Sequence, residues 1–443
     1  MKRILRVFTI LMIVSFLWLI TFALNIAAFE KTDLEVASFQ GGYGIDWLEK
    51  IGKEYEELHP NVKVKVWGNP RVWEQLRPRF VAGTPPDVCA PGWGFDFWAA
   101  IYENKIRPLD EALNSKAYDQ DEMWKEIFIG DLLAVGKWEG KHYIMPLFLN
   151  VFGWWYNKAL FEKNGWKVPK TWSELLILAE KIKGRGIAPF TTQGIYPDYA
   201  VFYHFFYPAL RIGGLKAFKD AVNLKPGAWK SAAFLKSAQI IREFVDKEYF
   251  QKGCLGMNHT GAQMEWLAGR AAIIGCGSWL QSEMVKVTPE DFEMRYMRVP
   301  AWEGGAGDPT TVMADSDMAT NWIVPMDGKH PEIAFDFLKF MTSLENAKMI
   351  ATSKSAILTI KGSGGEEITD ETLLGTVKAL TEAKKTVMVD SVIGAVYPTL
   401  KKVQADAIAA LLGGEITPEQ CVEKIEKEAE RIRGDKTIPK HLF

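Results

Sequence analysis

Leu34-Glu35-Val36-Ala37-Ser38-Phe39 alternates apolar and polar residues and runs into Gly41-Gly42-Tyr43-Gly44. A period of two is that of a half-buried strand, and the glycines end it. Helical spacing follows from about Asp46 to Leu58, His59-Pro60-Asn61 breaks it, and Val62-Lys63-Val64-Lys65-Val66-Trp67 alternates again. A second helical stretch, about Arg71 to Ala82 with Pro78 inside it, stops at Gly83-Thr84-Pro85-Pro86, and Asp87-Val88-Cys89-Ala90 reads as a short third strand. Strand and helix in strict alternation make βαβ units. The opening of the chain therefore predicts an α/β fold with a parallel sheet covered on both faces.

A second α/β pattern begins near Lys141. His142-Tyr143-Ile144-Met145-Pro146 leads into Phe152-Gly153-Trp154-Trp155-Tyr156-Asn157. Thr171 or Ser173 caps a helix to Lys183, with Glu174 in its first turn, where the helix dipole favours an acid. Ala188-Pro189-Phe190-Thr191 is a short strand, followed by an aromatic stretch from Tyr196 to Tyr207. Helices are expected at about 229–248 and 260–268, then strands at Ala271–Gly275, Phe292–Val299 and Trp322–Pro325. From Pro331 to about Arg433 the chain reads as mainly helical, and Gly362-Ser363-Gly364-Gly365 as a flexible loop. At 443 residues, the chain is roughly two to three times a usual domain, so two lobes are expected.

Lys+Arg 53 against Asp+Glu 55 leaves a net charge of −2. That balance gives no drive toward nucleic acid and argues against a charge-driven membrane-surface protein. The aromatic content, with 17 Trp beside 25 Phe and 13 Tyr, is heavy for a core alone and predicts rings lining a surface or cleft. Lys2, Arg3 and Arg6 precede the apolar run Val7–Ala23, and small residues follow at Asn25-Ile26-Ala27-Ala28. This is the secretory signal pattern over 1–28, with an uncleaved anchor as the alternative. No cysteine stands near the cut, which argues against a lipoprotein. Cys89, Cys254, Cys276 and Cys421 are too few for a disulfide framework; they permit three complete pairings, or four free buried thiols.

Catalytic signatures fail one by one. None of the six histidines forms HxxxH or HExxH, and no CxxC occurs, so a metal site lacks its usual spacing. Gly41–Gly44 has neither GxGxxG nor a Lys-Ser/Thr ending, which disfavours a nucleotide cofactor. Gly277-Ser278-Trp279 lacks the final glycine of a nucleophile elbow, Leu280 standing near it instead. A carboxylate pair for glycoside hydrolysis is not excluded by spacing, since 55 acids allow many pairs.

The order of these signals resembles the extracellular solute-binding proteins of ABC importers. The resemblance rests on Gly83–Val88, Tyr143-Ile144-Met145-Pro146, Trp155–Phe161, Asn164-Gly165, Pro169–Leu175, Gly269–Trp279, Pro331–Phe340 and Gly414–Glu419. It is to the sugar-binding branch that includes maltose-binding protein. Within it, His259–Leu267 followed by Cys276–Leu280 looks most like binders of N-acetylglucosamine and chitobiose. The resemblance implies a type II periplasmic-binding-protein fold, two α/β lobes closing by a hinge on a cleft. By analogy the first lobe holds 29–143 plus 292–327 and the second 144–291 plus 328–443. It further implies a non-enzymatic, monomeric receptor outside the cytoplasm, with no cofactor, that hands a sugar to a membrane permease. An exported glycoside hydrolase or lyase, or the same fold serving a non-sugar solute, are the rival readings.

A pyranose offers apolar C–H faces and a rim of hydroxyls, so its binder needs flat rings with amides or carboxylates at their edges. By resemblance Trp279 is the first stacking candidate, with Asn150, four residues after Pro146, as a polar contact. Trp93 and Asp96 follow the third strand, although capping a helix competes for Asp96. Tyr196 stands at the spacing of a second-lobe ring, with Tyr199 its rival, and Tyr397 is a late one. Gln40 and Tyr43 lie at a rim on the first glycine loop. His259 and Gln263 read as surface side chains. A Cys89–Cys276 bridge would lock the hinge.

Overall fold

The computed structural model describes residues 31–316, 318–364, 370–388 and 396–440; the expected signal segment lies outside them. Five elements open the chain: β1 (Thr32–Phe39), α1 (Asp46–Leu58), β2 (Val62–Asn69), α2 (Val72–Val81) and β3 (Val88–Ala90). β1 is central, parallel to β2 with Thr32 opposite Val62, and parallel to β3 with Val36 opposite Val88. α1 turns Trp47, Leu48, Ile51 and Tyr55 inward, the stripe that a 3.6-residue period puts on one face. This is the expected βαβ core.

The second sheet is built around β4 (Asn150–Asn157). After it come α3 (Trp172–Lys183), β5 (Ala188–Thr191), α4 (Tyr207–Val222), α5 (Ala232–Asp246), α6 (His259–Leu267), β6 (Ala271–Gly277) and α7 (Leu280–Met284), then β7 (Met294–Met297) and β8 (Val312–Asp315). β6 runs antiparallel along one edge of β4, with Phe152 opposite Gly277, and β5 pairs in parallel with β6. β7 and β8 share the other edge. Thr171 caps α3 through a reciprocal box with Glu174, as its sequence predicts.

α8 (Pro331–Met341) and α9 (Leu344–Lys354) return to the first lobe. Their Phe337, Met341 and Ile350 share a core with Leu34 and Ile51, and the Tyr55 hydroxyl donates to Asp336 Oδ2 at 2.7 Å. The remaining elements are α10 (Glu371–Thr381), β9 (Thr386–Met388), α11 (Pro398–Leu412) and α12 (Pro418–Gly434). β9 lies parallel to β8, and α11 and α12 pack with α5, all in the second lobe.

These pairings correct the expected lobe boundaries. Residues 292–316 were assigned to the first lobe, but β7 and β8 are strands of the second-lobe sheet. Residues 328–360 were assigned to the second, but α8 and α9 cover the first-lobe sheet through α1. The chain therefore crosses between Phe148 and Asn150, between Asp315 and Asn321, and beyond Ile360. Alternation at Phe292–Val299 announces a strand without naming the sheet it joins. The expected strand Trp322–Pro325 survives as single bridges, Trp322 to Met145, Ile323 to Cys89 and Pro325 to Ile106, on the first lobe.

The aromatic stretch after Tyr196 continues through a short helix (Asp198–Ala200) and a turn of π-helix (Val201–Phe206) into α4. It carries His204 into a cage of Trp154, Phe190 and Phe250, with ring centroids 5.9, 5.6 and 5.0 Å away. Neither imidazole nitrogen has a hydrogen-bond partner among the described residues. Burial pushes its pKa down to about 3. All four cysteines are buried free thiols, with Cys89 and Cys276 in different lobes.

Candidate functional site

The lobes face each other across the crossings, and the floor between them is polar. Tyr43, on the glycine loop after β1, stacks on Phe148 at 4.3 Å and donates its hydroxyl to Asn150 Oδ1 at 2.7 Å. Asn150 opens β4 opposite Asp315 and is fully buried. Its amide Nδ2 has no partner among the described residues, a donor left over once the oxygen is engaged. Ser278 Oγ accepts from Val151 N at 3.2 Å, and Asn321 Nδ2 donates to Ser316 Oγ at 2.9 Å. With the buried carboxyl of Asp315, these groups gather where the strands cross between lobes. Buried polar groups cost stability unless they are satisfied, so the Asn150 Nδ2 donor is the group here that a ligand or water would complete.

Aromatic rings form the wall. Trp279, just before α7, is half-buried and packs against apolar side chains of both lobes. Phe152 and Tyr199 meet it edge-on at 5.8 and 6.5 Å. Its ring lies across Gly277, where a Cβ would fall 1.9 Å from Trp279 Cζ3. Only glycine fits beneath that ring. On the first lobe, Trp93 is 58% exposed and meets Phe39 edge-on at 6.4 Å.

Among the described residues several contacts join the lobes. Besides Tyr43 to Asn150, Gly42 lies against α7 so closely that a Cβ there would sit 3.3 Å from Glu283 Cβ. The Ser282 hydroxyl donates to the Lys354 carbonyl at the end of α9. Lys401 of α11 places its ammonium 5.8 Å from the Trp93 ring centroid, while lying 3.8 Å from Asp198.

The expected site residues thus divide. Tyr43, Asn150 and Trp279 converge on the floor and wall. Trp93 and Tyr196 are exposed, Tyr196 46% and 5.8 Å from the His259 ring. Gln40 is exposed on the rim. Asp96 caps the short helix Phe97–Tyr102, accepting from Ala99 N at 2.9 Å, so the competing reading describes it. Tyr397 is buried at the start of α11 rather than open to the cleft. Burial, with Asp96 and Tyr397 beside it, pushes the Tyr102 phenol up to about 12.

Sequence reasoning missed Glu283, one helical turn beyond Trp279. Its carboxylate takes His259 Nε2 at 2.9 Å and Gln263 Nε2 at 2.8 Å, and this bond raises the His259 pKa. Gln263 is fully buried in that network, which corrects its surface reading. The (i, i+4) spacing of Trp279 and Glu283 was the available signal.

The model of the bacterial extracellular solute-binding protein family matches residues 41–348, well over half of the chain. The chain belongs to that family. This solute-binding protein is 25% identical to the diacetylchitobiose binding protein NgcE of Streptomyces coelicolor over 93% of its own length and 87% of the relative's. To the multiple sugar-binding protein of Streptococcus mutans it is 26% identical, over 71% of this chain and 72% of that one. Among solved structures, one from work on xylan utilisation by Caldanaerobius polysaccharolyticus superposes with a TM-score of 0.77, at 22% identity over 89% and 99% of the two chains. A chitin oligosaccharide binding protein does so at 0.73, with 23% identity over 90% and 98%. These likenesses establish the two-lobe fold. The family is one of binding proteins, not enzymes. Among the described residues of this solute-binding protein no helix is long and apolar enough to cross a membrane.

Proposed function

We propose that this solute-binding protein captures an N-acetylglucosamine-type sugar, chitobiose or a short oligomer, outside the cytoplasmic membrane and delivers it as a monomer to an ABC permease. The observation that carries the reading is that Trp279 and the Asn150 amide, which has no partner among the described residues, both lie at the meeting of the lobes. An indole face suits the C–H side of a pyranose, and a spare N–H donor suits a hydroxyl or acetamido oxygen. Tyr43 and Ser278 supply further hydroxyls beside them. The names of NgcE and of the chitin oligosaccharide binding protein support the sugar class, and the signal-like segment supports export.

Thermal-shift screening against mono- and oligosaccharides tests the proposal. A ligand that binds only the folded state adds about 2.7 kcal/mol at a hundredfold excess over Kd. N-acetylglucosamine oligomers are expected to raise Tm by several degrees. Stabilisation by a non-sugar solute alone would replace the reading.

A further inference from the structure

Arg211 lies on α4, packed against the loop that joins β7 to β8, and is only 1% exposed. Loop and helix are in backbone contact: Ala306 N donates to Ile212 O at 2.9 Å and Gly307 N to Arg211 O at 3.1 Å. A Cβ on Gly307 would fall 2.1 Å from Leu210 O, so only glycine lets the loop close on this turn of helix. The guanidinium reaches into the same loop. Nε donates to Val299 O at 3.0 Å, and Nη1 donates to Asp308 O at 3.0 Å and Thr311 O at 2.9 Å. Its Cζ stands 5.4 Å from the Tyr207 ring centroid.

A guanidinium has five N–H donors. Nη2, which carries two of them, is buried without a partner among the described residues. No carboxylate pairs with Arg211 there either. The acids nearby are engaged elsewhere, Asp308 with Lys384 at 2.8 Å and with Thr310, and Glu382 with Arg298 at 3.0 Å. Carbonyl dipoles and a ring face offset part of the charge, but a cation withdrawn from water is costly until it is paired. Burial accordingly pulls the Arg211 pKa below its ordinary value. The residue before Val299 is Arg298, whose Nε is likewise buried without a partner and whose charge acts against that of Arg211. Two neighbouring guanidinium groups thus keep N–H donors in reserve, and the acceptor that suits both is a negative one.

We propose that the second lobe holds a small monovalent anion of the chloride class, bound by Arg211 Nη2 with Arg298 Nε as a second donor. One negative charge matches Arg211, whereas a divalent oxyanion would leave surplus charge in a dry site. The anion joins α4 to the loop that delivers Val312 to β8, and so stabilises the second lobe whatever solute the cleft takes. The site is independent of the sugar reading.

Crystals of the protein grown in sodium bromide, read by bromine anomalous scattering, test it. A peak within hydrogen-bond reach of Arg211 Nη2 is expected. In solution, Tm in sodium bromide or chloride is expected to exceed that in sodium gluconate at equal ionic strength by a few degrees. The gain saturates, as binding to the folded state at one site requires. Arg298→Gln is expected to move the midpoint of this halide dependence several-fold upward. A merely structural loss would lower Tm at every concentration and leave the midpoint in place. An anomalous map blank at Nη2, where water would then be the partner, overturns the site. So does a peak in crystals beside a Tm indifferent to halide, the mark of an adventitious ion only. An unmoved midpoint in Arg298→Gln overturns the second donor.

Discussion

The Tyr43 hydroxyl donates to Asn150 Oδ1 at 2.7 Å, joining a first-lobe loop to the first residue of a second-lobe strand. The bond has two consequences. It ties the lobes at the hinge, and it leaves the Asn150 amide as a donor facing the remaining polar floor. On the proposed reading, closure and ligand recognition therefore share one side chain.

Tyr43→Phe keeps the ring that stacks on Phe148 and removes the hydroxyl that donates to Asn150. A buried acceptor left unsatisfied costs about 1–3 kcal/mol, a cost the open form escapes because water reaches Asn150. The unliganded variant is expected to shift toward a larger radius of gyration in small-angle scattering, with sugar affinity roughly tenfold lower. An unchanged scattering profile with unchanged Kd would dissociate the bond from closure.

Gly42→Leu tests the packing of the first-lobe glycine loop against α7. A Cβ at Gly42 already lies 3.3 Å from Glu283 Cβ, so a branched side chain has to displace α7 or hold the lobes apart. Gly42 is absent from the positive-φ glycines, so the substitution brings no backbone strain. The expected result is a Tm near that of the unaltered protein with affinity at least about tenfold weaker. Full affinity would show that ligand does not require this contact.

His204 makes the second lobe acid-sensitive. Its ordinary pKa of 6.5 falls to about 3 on burial, so the unfolded chain takes up a proton that the folded one refuses. Stability is complete above about pH 6.5 and falls as pH drops toward 3, by about 2 kcal/mol at pH 5. His204→Phe, matching its aromatic cage, is expected to shrink the Tm loss between pH 7.5 and 5. The same loss in the variant would assign acid sensitivity to other groups.

Local patterns carried the sequence reading far. Alternation at Leu34–Phe39 and Val62–Trp67, and the apolar run Ala271–Gly275, became strands because one face or both are buried there. The α4 region went unassigned. Pro208, Gly213, Gly214 and a run of aromatics blur any 3.6-residue period, and the helix is in fact kinked at Gly214, φ +69°. Lobe membership of 292–316 was illegible for another reason, since a strand's sheet is chosen by tertiary packing. At the site, Trp279 and Tyr43 were readable from motifs. Asp315, Ser316 and Asn321 were not, because ordinary polar residues become remarkable only when three crossings bury them together.

The role of Trp279 is the centre of the account, and calorimetric titration of Trp279→Ala with diacetylchitobiose, beside a denaturant melt, addresses it most directly. Truncating a stacking hot spot costs at least about 2 kcal/mol of binding, near thirtyfold in Kd. A Trp that serves only the core costs roughly 3–5 kcal/mol of folding stability instead. Trp279 is half-buried across Gly277 and touches both lobes, so a thirtyfold or greater loss of affinity is expected with a stability loss well below that range. A strongly destabilised variant, or one that binds diacetylchitobiose with full affinity, would contradict the account.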